Sequence, residues 1–137
     1  MKTINYWGVA AAALFGWLLG FVWYGVAFSE MWMTLEGLTP EMGAGQEWRM
    51  GLGVIEVIVV AFGLDWLRRL GNVEGYAAGL RVGAFAALFF AVTTVWLRFI
   101  YALKPLGLIG LDGAYLLIQI AVGMALVCGF YGFKPRA

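Results

Sequence analysis

Four apolar stretches, each close to the ~20 residues that cross a hydrocarbon core, constrain this chain more than anything else in it. They run over 6–28, 50–67, 76–100 and 111–133. The first carries no charge, and the second is interrupted by Glu56 and closed by Asp65. The third has Arg81 near its start and Arg98 near its end, and the fourth opens at Asp112 and carries Gln119. A backbone facing lipid must satisfy its own hydrogen bonds, and no alternating barrel pattern is present, so each stretch is expected to be helical. Composition agrees: 64% of residues are hydrophobic and only 12% charged, against roughly 45–50% and about 25% in soluble domains. The expected fold is an all-α integral membrane protein. It is one membrane domain over 1–137, an antiparallel four-transmembrane-helix bundle with a partly helical outer loop between helices 1 and 2.

The first stretch could pass for a secretory signal, with Lys2 ahead of it and Gly25-Val26-Ala27 as a small-x-small site. Its apolar run exceeds the ~7–15 residues of a signal core, so a retained helix is expected. Lysine and arginine in the connections set orientation. Lys2, Arg68, Arg69, Arg81, Lys134 and Arg136 fall on one side, against Arg49, Arg98 and Lys104 on the other. Six against three predicts the plasma (inner) membrane with both termini cytoplasmic. Glu30, Glu36, Glu41 and Glu47 then belong to an ordinary solvated outer loop. Within that loop Thr39-Pro40-Glu41 signals a short interfacial helix, held by Trp32 and Trp48. The brief connection after Arg68 predicts that helices two and three pack as a hairpin. Tryptophans and tyrosines near the helix ends, among them Trp7, Trp23, Tyr24, Trp66, Trp96 and Tyr101, form the expected aromatic belt.

Several kinds of chemistry are excluded. The chain has no histidine, which removes the commonest metal ligand and general base and any histidine-held haem. No phosphate loop, nucleophile elbow, zinc spacing or pair of catalytic acids is present. No cofactor and no catalytic residue is therefore expected. A net charge of +1 gives no footprint for nucleic acid. Cys128, the only cysteine, lies in an apolar run and packs there as a small hydrophobe. Asp65 and Arg81 are expected at the interface with water, snorkelling where needed. Asp112 suits the positive start of helix four as a cap.

Small residues recur every four positions at Gly8, Ala12, Gly16 and Gly20, and again at Gly79, Gly83 and Ala87. Such stripes let helix backbones approach in lipid. Gly16, Gly20, Gly79 and Gly83 are the candidate packing residues, within one chain or between chains. Glu56 is the sharpest polar feature. It lies about two turns into its helix, roughly 9–10 Å from Met50 at 1.5 Å per residue. An acid at that depth is costly unless paired, wet or protonated. Thr94, Gln119, Tyr115 and Tyr24 should share its layer, with Arg98 a turn shallower and able to reach it. Glu56, Arg98, Gln119, Thr94 and Tyr24 are thus the candidate intramembrane site. The same residues could instead only set helix register.

Particular words also resemble a known family. Phe21-Val22-Trp23-Tyr24-Gly25-Val26-Ala27-Phe28 leads into Met31-Trp32-Met33 and Gly37-Leu38-Thr39-Pro40. Later come Lys104-Pro105 and Leu111-Asp112-Gly113-Ala114-Tyr115. This pattern resembles the bacterial membrane family called domain of unknown function 1761, over nearly the whole chain. The family's frequent glutamate-glycine pair before the basic-proline turn is Ala102-Leu103 here, and its frequent histidine after the tyrosine is Leu116. The resemblance implies four membrane helices and carries no activity with it. Two functional expectations follow from the residues. One is a homo-oligomeric membrane protein, in contact with lipid and self-associating, that binds or passes a small solute or ion. The other is an accessory subunit whose small-residue stripes face another membrane protein.

Overall fold

A computed structural model describes residues 2–132. All regular structure in it is helical. The first helix, α1 (Tyr6–Val22), starts at Asn5, whose side chain accepts the Gly8 N–H, and runs on as a π-helical turn over Trp23–Ala27. A short helix α2 (Ser29–Glu36) follows. Gly37 ends it at a φ of 75°, where the Leu38 N–H returns to the Met33 carbonyl at 2.9 Å. This is the left-handed C-terminal closure that glycine allows. Pro40–Gly43 forms one 3₁₀ turn. Then come α3 (Trp48–Leu70), α4 (Tyr76–Ala86), a π-helical stretch Ala87–Val92, α5 (Thr93–Tyr101) and α6 (Gly107–Gly129). With their π-helical extensions these give four helices long and apolar enough to cross a membrane: Tyr6–Ala27, Trp48–Leu70, Tyr76–Tyr101 and Gly107–Gly129.

The bundle is organised around α6, which packs against α1, α3 and α4. Its buried face includes Ala121, Gly123, Met124, Val127 and Cys128, and Val9, Ala12, Ala61 and Leu64 complete the core. The glycine stripes explain the arrangement. A Cβ on Gly83 would stand 2.6 Å from Met124 Cβ, and one on Gly79 would stand 2.7 Å from the Met124 carbonyl oxygen. At Gly8 the same atom would meet Val127 Cα at 2.7 Å. Backbone meets backbone at these points, as small residues permit in lipid. Each of the two stripes thus meets α6 within the chain.

The expected hairpin of helices two and three is not formed as a packed pair. The connection is short, but it does not decide who packs with whom. Gly75, at a φ of 84°, donates its N–H to the Cys128 carbonyl at 2.9 Å. That bond and the Gly79/Gly83 face commit α4 to α6 instead of α3. The outer-loop helix also differs from expectation. The Thr39-Pro40 signal yields only the 3₁₀ turn, and the longer helix precedes it as α2.

Candidate functional site

Polar residues gather at the two ends of the bundle and, between them, along one groove. At one end Asp65 is fully buried (0% exposed) and Arg68 nearly so (2%). Arg68 Nε donates to Asp65 Oδ1 at 2.9 Å, Arg69 Nε donates to Oδ2 at 2.9 Å, and the Asn5 N–H donates to Oδ1 at 3.1 Å. Arg68 also donates to the Thr3 carbonyl at 2.7 Å. The Asn5 amide donates to the carbonyls of Val127 and Phe130 at 2.9 and 2.8 Å. The start of α1 and the ends of α3 and α6 are thereby locked together. Asp65 was expected at the water interface. It lies inside because two guanidinium groups from its own last turn and a backbone N–H satisfy both its oxygens.

At the other end, Tyr24 Oη donates to Asp112 Oδ1 at 2.8 Å and Arg98 donates to Asp112 Oδ2 at 3.1 Å. Arg98 also reaches Glu36, whose carboxylate is bonded to Lys104 Nζ at 2.7 Å. Lys104 Nζ further donates to the Glu36 backbone carbonyl at 3.2 Å. This ties α2 to α5, α6 and the turn between them. Burial alone would raise the Glu36 carboxyl, but hydrogen bonds from Lys104 and Arg98 outweigh it and hold it below the usual carboxylate range. Glu36 is therefore not an ordinary solvated loop acid. Nor does Asp112 cap α6. The helix starts at Gly107, where the Leu108 N–H turns back to the Pro105 carbonyl, which carries Asp112 beyond the first turn and into the interior.

The groove lies between α1 and α3, with α6 as its floor. Its volume is about 430 Å³. Gly16, Gly20 and Gly53 open it. A Cβ on Gly16 would stand 3.3 Å from Gln119 Nε2, and one on Gly20 would stand 3.2 Å from Tyr115 Oη. Those absent side chains give Gln119 and Tyr115 room to reach across from α6. Aromatic rings form the walls: Trp17, Phe21 and Tyr24 from α1 and its π turn, Tyr115 from α6, and Trp32 from α2. Tyr24 meets Tyr115 edge-on at 4.9 Å between centroids and Trp32 edge-on at 5.2 Å. Glu56 lines the α3 side, and the Gln119 amide, only 4% exposed, is its polar neighbour from α6.

The sequence-predicted residues separate accordingly. Glu56 and Tyr24 line the groove, and Gln119 stands behind it beside Gly16. Arg98 does not reach Glu56, because Asp112 and Glu36 hold its guanidinium. Thr94 stands exposed on α5, its hydroxyl donating to the Phe90 carbonyl one turn back at 2.7 Å. Sequence reasoning missed the roles of Asp112, Glu36 and Trp32. Asp112 was visible as a charge in an apolar run but was read as a cap. Glu36 gave no signal that distinguished it from the other loop acids.

The family described as a protein of unknown function, DUF1761, matches residues 7–129. The chain belongs to the DUF1761 family. No curated protein and no solved structure matches it. The DUF1761 match takes in the whole groove and the Asp112 network but leaves Asn5 outside. The words that carried the resemblance converge in space. Trp23-Tyr24 forms the π turn, Met31-Trp32-Met33 lies on α2, and Leu111 to Tyr115 supplies Asp112 and the ring that Tyr24 meets. Segments far apart in this DUF1761 chain thus build one end of one groove.

Proposed function

We propose that this DUF1761 chain is a multi-pass protein of the plasma membrane that binds a small solute in the groove beside Glu56 and passes it through an oligomer of identical chains. Its helices run antiparallel, with the Asp65 end and both termini in the cytoplasm, as the lysine and arginine distribution favours. The observation that carries the reading is an acid on an apolar span, facing a groove walled by aromatic rings. Ligand sites are concave and mostly apolar, with a few placed polar groups, and an intramembrane acid is a functional candidate by default. The groove belongs to one chain but is open along α3, so a second copy would close it.

The accessory-subunit reading loses its main support. It needed the small-residue stripes to face a partner, and Gly8, Gly79 and Gly83 are occupied by α6. The test is solute binding and flux in proteoliposomes for the parent and for Glu56→Gln. The reading expects both to fall in the variant. Binding and flux indistinguishable from the parent would sink it, and a strictly monomeric particle would remove the oligomer.

A further inference from the structure

Resting on that reading of the groove, we infer that its ligand is an organic cation with an apolar body, held by Glu56 and the surrounding rings. Charge complementarity is the first argument. Every lysine and arginine among the described residues is engaged away from Glu56. Lys2 pairs with Glu74, Arg68 and Arg69 with Asp65, and Arg98 and Lys104 with Glu36. Arg81 donates to the Ala77 carbonyl, and Arg49 lies over the Trp48 ring at 5.5 Å. Glu56 has only the neutral Gln119 amide. A carboxylate on an apolar span is neutralised by a proton or by a cation.

The walls select between cations. A small metal ion needs several oxygen ligands, six or more for calcium, and the side chains lining the groove offer one carboxylate and two phenol hydroxyls, one of them already given to Asp112. Trp17, Phe21, Tyr24, Trp32 and Tyr115 instead line it with aromatic rings, and ring faces attract ammonium-type and related onium cations within about 6 Å. The volume of about 430 Å³ suits a body of drug-like size. An anion would meet Glu56 with like charge, and a neutral solute would leave the carboxylate uncompensated.

Proton and ligand compete for the same oxygens. The other titratable groups lining the groove are the phenols Tyr24 of α1 and Tyr115 of α6, neutral at ordinary pH. Asp112 and Glu36 nearby are already held by Arg98. Binding therefore strengthens as pH rises and Glu56 ionises.

The experiment is calorimetric titration of the full chain in nanodiscs with tetraphenylphosphonium and with tetraphenylborate, matched in size and opposite in charge. The phosphonium should bind and the borate should not. Glu56→Gln should weaken phosphonium binding at least tenfold, while Glu56→Asp, which keeps the charge, retains much of it. Phosphonium binding that is equal in the parent and Glu56→Gln, or borate binding as tightly, overturns the cation assignment and leaves the groove as a site for another solute class. Binding of neither probe overturns both.

Discussion

Replacing Asp65 with asparagine tests whether the buried ionic latch holds the bundle together. The side chain is fully buried and accepts from Arg68, Arg69 and the Asn5 N–H. Asparagine keeps the shape but removes the charge and swaps one acceptor for a donor. Arg69 is partly exposed and can turn to water, so its loss adds little. Arg68, at 2% exposure, cannot turn. It keeps only neutral partners, the Thr3 carbonyl and the amide oxygen, for a full charge. Removing one member of a buried pair costs about 3–5 kcal/mol, because the other is left uncompensated. That is a large share of the ~5–15 kcal/mol that typically holds a domain together. The assay is reversible unfolding in mixed detergent micelles, reading free energy for the parent, Asp65→Asn, Arg68→Met, and the two combined. The double variant removes both charges and should recover most of the loss, a coupling that a double-mutant cycle isolates. A single variant within about 1 kcal/mol of the parent would refute the reasoning, since a buried pair should exceed the surface range. So would a double variant no more stable than the sum of the singles.

Two further predictions follow from the packing and from the outer network. Gly83→Ala should destabilise by about 1–3 kcal/mol, because its Cβ would meet Met124 Cβ at 2.6 Å, whereas Gly110→Ala, with nothing within 4 Å, should be neutral or slightly stabilising; the same unfolding titration reads both, and equal effects would contradict the assigned α4–α6 contact. Glu36 sits below its ordinary carboxylate range, so the stability it contributes is present above the unfolded value near ~4.3 and is lost as pH falls through the lower folded value; hydrogen-exchange protection of α2 should persist from neutral pH to about pH 5, and Glu36→Gln should lower it across that range, while an unprotected α2 in the parent would count against the tether.

What was legible in the sequence was what lipid imposes on every residue. The four apolar lengths and the glycine spacing come from constraints acting along one helix, so one helix suffices to read them. Partner choice was not legible, because it depends on where neighbouring helices begin. Arg98 lies within reach of three acids by depth alone. The start of α6 at Gly107 decides the matter, since it carries Asp112 into the interior beside Tyr24. Thr94 looked like part of a polar layer, but a threonine in a helix can satisfy its hydroxyl on the carbonyl one turn back, and it does. Asn5 lies outside every apolar stretch, and nothing in its local sequence announces a residue that joins three helix ends.

The two ends of the bundle differ in how their charges are held. At the Asp65 end the charges are buried and cross-linked to the start of α1 and, through Asn5, to the end of α6, so opening there would strand a guanidinium and a carboxylate in an apolar interior. At the Asp112 end Arg98 is 41% exposed and Lys104 31% exposed, while their partners Asp112 and Glu36 are only 10% and 9% exposed, so there the cations can turn to water and the acids cannot. The element they restrain is α2, eight residues long, with none of them buried and with Trp32 forming part of the groove wall. Displacing α2 breaks the Glu36 pairs and uncovers Trp32, while no residue of α2 belongs to the core around Met124. The Tyr24 ring lines the groove and its hydroxyl holds Asp112, so a ligand that shifts the ring also disturbs the partner of Arg98. Glu36→Gln should loosen the outer end while leaving the Asp65 latch intact.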